Sequence, residues 1–323
     1  MSADTATAAI PAEQLEQYRR ELTGYCYRML GSIYEAEDAV QDTMLRAWRA
    51  LARFEDRRGL RPWLYRIATN VCIDMAKGRS RRALPTHVAP VARSDARLVD
   101  RRPTEAWVEP APDSLILPAE GDPAEQAVSR ESVRIAFIAA LQYLAPRQRA
   151  VLILRDVLRW RAAEVAVLLD TSVDAVNSTL RRARAASGAV NRDSAPTEPS
   201  GGDRELLAAY IKAFERHDVD ALVALLRDDA IIEMPPFELW LRGKDDIGRW
   251  LTAVGALEDH LVTPVSANGS LAVAAYRPET PGTPPTALNI QVLDVVGGHI
   301  SVIHAFVDAA LFPVFGLPVD PVS

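Results

Sequence analysis

Two segments without helical or strand periodicity interrupt this chain of 323 residues and divide it into three folded stretches. Residues 85–125 are rich in proline, aspartate and arginine, and residues 189–203 have the Pro/Ser/Gly composition of a hinge. The chain is therefore predicted to be a multidomain protein. After a frayed tail at 1–14, the predicted domains are residues 15–84, 126–188 and 204–318.

Charge is distributed unevenly over these domains. Residues 1–190 carry 28 Lys and Arg against 24 Asp and Glu, whereas residues 191–323 carry 9 against 19, so the net charges are +4 and −10. Residues 53–97 hold 11 basic and 4 acidic residues. Such a local patch binds polyanions whatever the total charge, because screening confines the interaction to about 10 Å. Composition alone leaves a solvated surface as an equal alternative.

Composition also disfavours several classes of protein. No apolar run approaches the roughly 18–20 residues of a membrane span, and the first residues lack the basic and apolar regions of a signal peptide. Cys26 and Cys72 each occupy an apolar position of a helical pattern, which favours buried thiols over a disulfide or a metal site. We therefore expect a cytoplasmic protein without membrane contact, metal or cofactor.

The first domain is predicted to be all helical and to present two polar faces. In residues 35–51 apolar side chains recur at spacings of three and four, and the opposite face is acidic. Residues 60–82, LRPWLYRIATNVCIDMAKGRSRR, contain six cations, and helical phase separates a core stripe from a face with an aromatic ring, cations and an amide. Such groups stack on bases and pair with phosphates, although the arginines of a merely solvated face would look the same. The core stripe is Leu64, Ile67, Ala68, Val71, Cys72 and Met75, and the second face is Trp63, Arg66, Asn70, Asp74 and Lys77.

The second domain contains a helix–turn–helix pattern. Residues 161–170 form an amphipathic helix, residues 171–172 a turn, and residues 173–187 a second helix. Polar and basic residues on the free face of the second helix are typical of a major-groove reader, although short amphipathic helix pairs are common. The second helix is predicted to pack through Val173, Val176, Leu180 and Ala183 and to expose Asp174, Asn177, Ser178, Arg181 and Arg182.

The third domain begins with two amphipathic helices and continues with strand-like runs, which predicts an α+β cone with a helix-lined mouth. The pattern places His304 and Asp308 in one late strand at even spacing, which suits either acid–base chemistry or a satisfied polar pair. Catalysis, a small-ligand pocket and regulation stay open, with regulation favoured, because an acidic domain tethered to basic surfaces would also shield them. The candidate polar groups are Tyr210, Glu233, His260, His304 and Asp308, and the residues expected at a pocket are Tyr210, Trp240, His304 and Asp308.

These features resemble a known family. EAEDAVQDTMLRAW, WLYRIATNVCIDMAKGRSRR and PRQRAVLILRDVLRWRAAEVAVLLDTSVDAVNSTLRRARA together resemble the extracytoplasmic-function (ECF) sigma factors of bacterial RNA polymerase. The motif WVEPAPD at 107–113 and the C-terminal domain resemble the ECF subgroup that carries a SnoaL-like extension. The resemblance implies two all-α sigma domains, the second with a helix–turn–helix, followed by an α+β SnoaL-like domain of conical shape.

The resemblance also implies function and partners. The protein would bind core RNA polymerase and direct transcription from specific promoters. We hypothesise separately, from its acidity, that the C-terminal domain regulates this activity in cis. The acidic helix would dock on the clamp helices of the largest subunit, and the second sigma domain would contact the flap. The loop at 54–62 and the helix after it would capture the minus-ten element, and the exposed face of the 173–187 helix would read the minus-thirty-five element. The implied polymerase contacts are Glu37, Asp38, Gln41 and Asp42, and the implied minus-ten contacts are Arg58, Arg61, Trp63, Arg66, Asn70, Lys77, Arg79, Arg81 and Arg82.

The chain departs from the family's pattern in two places. Asn-Ser-Thr at 177–179 stands where many members have Lys-Ser-Arg, which implies a different promoter sequence or weaker electrostatic binding. Arg-Trp-Arg at 159–161 replaces the usual Gly-x-Ser, so a serine N-cap is missing. Two rival functions stay open: a DNA-binding regulator fused to a ligand sensor or an enzyme, and a regulator that makes no contact with polymerase.

Overall fold

The computed structural model describes residues 13–51, 54, 59–119, 122–187, 201–255, 260–280 and 282–321. The helices are α1 (Glu13–Glu16), α2 (Arg19–Leu30), α3 (Ile33–Ala50), α4 (Leu60–Ala76), α5 (Asp113–Ile116), α6 (Pro123–Glu131), α7 (Ile135–Gln142), α8 (Pro146–Leu152), α9 (Ala162–Leu168), α10 (Val173–Ser187), α11 (Gly201–Glu215), α12 (Val219–Ala224) and α13 (Lys244–Ala253). The strands are β1 (Leu226–Glu233), β2 (Trp240–Arg242), β3 (Leu261–Ala267), β4 (Ser270–Pro278), β5 (Pro285–Val296) and β6 (His299–Phe306).

The N-terminal domain is built on α2, α3 and α4, which pack on one another. Gly31 ends α2 in the left-handed conformation, and the hydroxyl of Ser32 then caps α3 by accepting a hydrogen bond from the backbone of Glu35 at 3.2 Å. The predicted helical phases are confirmed, since the core stripe of α3 and most of that of α4 are buried, with Ile67 and Met75 half-buried at its edge. Cys26 and Cys72 are both free and buried, as expected.

The middle domain contains the predicted helix–turn–helix. Its two helices, α9 and α10, pack on each other, and α10 also packs on α8. Ser172 supplies the N-cap of α10 by accepting a hydrogen bond from the backbone of Ala175 at 3.1 Å. At the start of α9, where a serine cap is absent, Glu164 folds back and accepts from the backbone N–H of Arg161 at 2.7 Å.

The C-terminal domain is an α+β fold with a six-stranded sheet in the order β2-β1-β6-β5-β4-β3. All neighbouring strands are antiparallel except β1 and β6, which are parallel. The strands β3 and β4 are joined by the two-residue turn Asn268–Gly269, and both of its residues have positive φ, at 53° and 65°. An Asn-Gly pair suits this type I′ geometry, because both residues tolerate the left-handed conformation.

The helical domains and the C-terminal domain share one apolar core, and the C-terminal domain has a second core of its own. One cluster lies between the sheet and α11–α13. The other cluster is continuous through the N-terminal and middle domains and includes residues on the opposite face of the sheet, such as Ala272 and Ala274 of β4 and Val292 of β5. Both faces of β4 are therefore buried, and the second face is covered by the helical domains.

The segment between the first two domains, residues 85–112, lies against the C-terminal domain with little regular structure. Its backbone bonds to the sheet's edge strand and nearby loop through Ala92 N to Trp240 O at 2.8 Å and Arg102 N to Pro236 O at 3.0 Å. At the predicted hinge, α11 already begins at Gly201, and the preceding residues 188–200 lie outside the described part of the chain. Within the described residues, no helix has the length and apolar composition that a bilayer crossing requires.

Candidate nucleic-acid and polymerase surfaces

The exposed face of α4 and the residues after it form a basic strip, which we define by residues 61–81. Arg66 and Asn70 are exposed, as predicted, whereas Trp63 is half-buried against Phe54 with ring centroids 4.7 Å apart. Arg61 donates to the carboxylate of Glu21 at 2.7 Å. Such a surface combines cations, an amide and an aromatic edge, which suits the backbone and bases of a single strand.

The distal end of the strip is also exposed, but its arginines differ in their surroundings. Lys77 pairs with Asp74 at 2.7 Å, and Arg79 pairs with Glu35. The guanidinium of Arg81 lies 4.3 Å from the ring centroid of Tyr143. The remaining predicted minus-ten contact, Arg58, lies outside the described residues.

Arg82 does not belong to the exposed strip, contrary to the prediction. Its exposed fraction is 5%, and it donates to the backbone oxygen of Trp107 at 2.6 Å and pairs with Glu35 at 2.9 Å. Burial lowers the pKa of Arg82, and nearby carboxylates oppose that shift. Its role in this arrangement is to fix the segment around Trp107 to the N-terminal domain.

The α10 residues predicted to read the minus-thirty-five element are largely exposed, as expected. Asp174, Asn177, Arg181 and Arg182 are exposed, and Ser178 is half-buried with its hydroxyl donating to the backbone of Ala175. The predicted packing through Val176, Leu180 and Ala183 is confirmed. Val173 is 41% exposed instead of packed, because it is the first residue of the helix and precedes the turns that face α8 and α9.

The acidic face of α3 is solvent-exposed. Glu37, Asp38 and Gln41 are open to solvent, and Asp42 is half-buried and paired with Arg46 at 2.7 Å. The same helix exposes Leu45 and Trp48, whose exposed fractions are 46% and 61%. These two apolar residues were not among the predicted contacts, although a tryptophan on the polar face of an amphipathic helix is a recognisable signal of a contact surface.

The two helical domains contact each other through the helices that carry these surfaces. The rings of Tyr65 on α4 and Trp160 beside α9 lie 5.0 Å apart, and the guanidinium of Arg61 lies 5.6 Å from the ring of Trp160. Arg149 of α8 donates to the backbone oxygen of Met29 on α2. Burial lowers the pKa of Arg149 to about 10, so it remains a cation that bonds across this interface near neutral pH.

The β3–β4 turn of the C-terminal domain enters the junction of the other two domains. The buried side-chain amide of Asn268 donates to the hydroxyl of Tyr27 at 2.7 Å and to the backbone oxygen of Val133 at 2.6 Å. Its side-chain oxygen accepts from the backbone of Ala111 at 2.9 Å. A Cβ atom on Gly269 would lie 2.9 Å from the backbone oxygen of Arg130, so only glycine fits there. One turn thus contacts the N-terminal domain, the linking segment and the middle domain.

A chain of buried charges crosses the same interface. His304 of β6 lies between two carboxylates, with Nδ1 2.6 Å from Glu233 Oε1 and Nε2 3.1 Å from Asp294 Oδ2. Asp294 is also 3.5 Å from the guanidinium of Arg134 in the middle domain, and Glu233 accepts from the hydroxyl of Thr86 at 3.0 Å. Burial disfavours a charged imidazole, but the hydrogen bonds to both carboxylates outweigh it and raise the pKa of His304 to about 10.

The expected pairing of His304 with Asp308 is wrong. The strand β6 ends at Phe306, and Asp308 instead caps the short helix that follows by accepting from the backbone of Ala310 at 3.0 Å. Of the partners that His304 has instead, Glu233 was a candidate in the sequence and Asp294 was not. Both come from other strands, and an even spacing along one strand carries no signal of them.

The cone contains a cavity of about 360 Å³ between the sheet and its helices. Of the residues predicted to form a pocket, Tyr210 lines it, and its hydroxyl donates to Gln291 at 2.5 Å. Trp240, His304 and Asp308 do not line it. Trp240 lies in β2, and its indole N–H donates to the backbone of Ala89 in the linking segment at 2.9 Å.

Comparison with known proteins finds three separate family matches along the chain. Family models match it as Sigma-70 region 2 over residues 15–82, Sigma-70 region 4 over residues 134–186 and a SnoaL-like domain over residues 207–303. The ECF RNA polymerase sigma factor SigG of Mycobacterium tuberculosis is 47% identical over 313 residues, which cover 94% of this chain and 82% of the relative. SigJ of the same species is 27% identical over 244 residues, 74% of this chain and 71% of the relative.

A solved structure supports the arrangement of the fold. The crystal structure of M. tuberculosis SigJ matches with a TM-score of 0.63 and 22% identity, over 96% of this chain and 100% of the other. The two sigma domains and the C-terminal α+β domain therefore occur together in one known architecture. The chain belongs to the ECF sigma factors, which bind core RNA polymerase and promoter DNA to initiate transcription, and carries a C-terminal SnoaL-like domain.

Proposed function

We propose that the SnoaL-like domain regulates this sigma factor in cis by holding the two sigma domains in a closed arrangement. The observation that carries the proposal is the Asn268–Gly269 turn, which bonds to both sigma domains and to the segment between them. In this proposal, the closed form is the resting state of the free protein, and core polymerase opens it.

The closed arrangement cannot engage both promoter elements. Their names place them about 25 base pairs apart, which is roughly 85 Å along B-form DNA at 3.4 Å per base pair. The helix proposed to contact the minus-ten element and the helix–turn–helix instead touch through Tyr65 and Trp160, whose rings are 5.0 Å apart. The two domains therefore have to separate before both elements are bound.

The SnoaL-like domain acts by packing, not by covering the basic strip as its acidity suggested. The strip is exposed, and among the described residues its ion-pair partners are Glu21, Glu35 and Asp74 of the N-terminal domain. The contribution of the SnoaL-like domain is instead its sheet face, the Asn268 turn and the bond from Asp294 to Arg134. Burial of apolar area in a shared core is the largest favourable term in such an interface.

We propose three surfaces for the sigma activity itself. The basic strip binds the opened minus-ten region, with Arg66 and Asn70 at its centre, and the exposed face of α10 reads the minus-thirty-five element. The acidic face of α3 docks on the polymerase, and Leu45 and Trp48 extend that contact. Arg82 is left out of the strip because it is buried in the closed form.

We propose no catalytic role for the SnoaL-like domain. His304 is held as a cation by two carboxylates and lies outside the cavity, so it is neither a free base nor accessible to a substrate. The charged chain through His304 ends at Thr86 of the linking segment and at Arg134 of the middle domain, so its proposed role is to attach both to the SnoaL-like domain.

Energy transfer between two dyes tests the closed form. Cysteines introduced at the exposed positions Arg49 and Arg147 place one dye on each sigma domain, and the native Cys26 and Cys72 are buried and will not label. We expect high transfer in the free protein and low transfer after core polymerase and promoter DNA are added. Removing residues 188–323, or loosening the turn with Asn268→Gly, should lower transfer without polymerase. Unchanged transfer and unchanged promoter affinity in both variants would refute regulation in cis.

A further inference from the structure

We infer that the cavity of the SnoaL-like domain binds a small, largely apolar molecule that carries an anionic group, and that this ligand stabilises the closed form. The second half of this inference rests on the regulation proposed above, whereas the first half does not.

The size and walls of the cavity suit a small organic molecule. Its volume of about 360 Å³ lies within the range of ligand pockets. Most of its lining is apolar and comes from α11, α13 and the inner face of the sheet. The apolar residues that line it include Phe214, Ile232, Met234, Trp250 and Ile303.

The polar groups of the cavity favour an anion. Tyr210, Gln291 and Asn289 form a hydrogen-bonded row along one wall, with Gln291 donating to Asn289 at 3.0 Å. Arg97 and Arg277 also line the cavity, Arg97 at an exposed position and Arg277 at a half-buried one. The described lining contains no acidic side chain, although residues 191–323 carry 19 Asp and Glu. Two arginines beside an apolar wall match a carboxylate or sulfonate on an apolar body.

The linking segment supplies one wall of this cavity. Arg97 and Leu98 line it, and the neighbouring Ala96 is fixed by its backbone oxygen, which accepts from the indole N–H of Trp250 at 2.9 Å. Trp250 itself lines the cavity. The same segment joins the two sigma domains, so we infer that their separation draws residues 97–98 away from the cavity and that a ligand then loses this wall. A ligand that binds the closed form more tightly shifts the equilibrium toward it.

Two fluorescent probes that differ in one group test the site. Anilinonaphthalene sulfonate has an aromatic body and an anionic group, and N-phenylnaphthylamine lacks only the sulfonate. Both are titrated into the full-length protein without polymerase. We expect one saturable site for the sulfonate and binding of the neutral probe about tenfold weaker, the effect of one charge-assisted hydrogen bond.

Matched variants assign the binding to the cavity. Arg277→Leu should remove the preference for the sulfonate, and Ala305→Phe should fill the cavity and weaken both probes. Leu98→Ala should weaken both probes if the linking segment is a wall. Arg227→Leu is the control, since Arg227 pairs with Asp229 and does not line the cavity. Circular dichroism checks that each variant is folded.

The outcomes separate the two halves of the inference. Several sites, equal affinity for both probes, or indifference to Arg277→Leu and Ala305→Phe would overturn the ligand site and leave regulation in cis standing. Release of the bound sulfonate probe by core polymerase supports the coupling. If the probe binds as expected but Leu98→Ala and polymerase have no effect, the coupling is wrong. A failure of regulation in cis is visible separately, in the dye-transfer experiment.

Discussion

The side-chain amide of Asn268 donates to the hydroxyl of Tyr27 at 2.7 Å, across 241 positions of sequence. The same hydroxyl donates onward to the backbone oxygen of Glu109 at 2.7 Å, so both residues are fully used at the interface. The bond joins the SnoaL-like domain to the N-terminal sigma domain through two side chains that are both fully buried. Removing it leaves several polar groups buried without partners, which is more costly than the net contribution of one hydrogen bond.

The variant Asn268→Gly is expected to open the protein without straining the turn. Glycine keeps the positive φ of 53°, so the change removes only the side chain and its bonds to Tyr27, Val133 and Ala111. We expect the free energy of the interface to fall by about 2–4 kcal/mol, because two or more buried groups lose a partner. Urea unfolding and dye transfer measure it. The control is Asn177→Ala, because Asn177 is exposed and lies in a helix, where a change to glycine would itself be destabilising. An effect of equal size in this control would contradict the assignment.

Stability above neutral pH should depend on His304. Its pKa is raised from 6.5 to about 10 in the folded protein, so the folded state retains a proton that the unfolded state loses. The stabilisation is complete below about pH 6.5 and is lost as pH rises toward 10, at a slope of about −1.4 kcal/mol per pH unit between these values. His304→Gln should remove this slope in unfolding measured from pH 6.5 to 10. His299→Gln, at an exposed position of the same strand, should keep it.

In acid, the same network should make stability rise with pH, which is the opposite of its effect above neutral pH. Burial opposes the ionisation of Asp294, but the bonds to His304 and Arg134 outweigh it and lower its pKa. Its contribution to stability is therefore present above the ordinary carboxyl pKa and is lost as pH falls through the lowered value. If His304→Gln left the pH dependence unchanged at both ends, the charged network would not link the domains.

The arginines at the end of the basic strip should separate into two classes. Arg79→Ala and Arg81→Ala are expected to weaken promoter binding for every sequence and to reduce the slope of log affinity against log salt by about 1 each, because each phosphate contact releases about one counterion. Arg82→Ala should instead lower the free energy of unfolding by about 3 kcal/mol, since it leaves Glu35 and Trp107 without their buried partner. Salt titrations and urea unfolding distinguish them. A large change in salt slope for Arg82→Ala alone would reverse this assignment.

Asn177 should affect sequence preference and leave stability nearly unchanged. It is exposed on the α10 face that we propose reads the minus-thirty-five element, where its amide would bond to one base edge. Asn177→Ala should cost about 1–3 kcal/mol at one base pair of the minus-thirty-five element and relax selectivity there. Binding to a library of promoter variants checks this prediction. Arg216→Ala in the SnoaL-like domain is the control, and a uniform loss over all sequences would make Asn177 a phosphate contact instead.

Local sequence patterns predicted the elements that depend on local geometry. The stripe and the exposed face of α4 follow from helical phase alone, and Leu64 and Arg66 lie as expected. The helix–turn–helix was recognisable because its turn, cap and apolar spacing fall within about thirty residues. The Asn-Gly pair at 268–269 is also a local hairpin signal, but it was not among the predicted features.

The predictions that were wrong concern side chains whose partners are distant in sequence. In the sequence, Arg82 cannot be distinguished from the exposed cations before it. In the structure it is buried and donates to the backbone oxygen of Trp107. His304 found its partners on two other strands, and Asp308 lay beyond the end of its own strand. The sequence also could not give the target of the Asn268 turn, since a turn's conformation is local but its neighbours are set by the packing of three domains.

The backbone bonds between residues 89–102 and the SnoaL-like domain have a consequence for protein engineering. Those bonds use main-chain groups and the indoles of Trp240 and Trp250, so in the closed form this linking segment packs as part of the SnoaL-like domain, which follows it about 100 residues later in the sequence. A chimera that grafts the C-terminal module onto another sigma pair would dock poorly unless residues 83–113 were transplanted with it. If the C-terminal domain regulates the sigma factor as proposed, the regulatory unit is discontinuous in sequence, with one short piece between the sigma domains and one long piece after them.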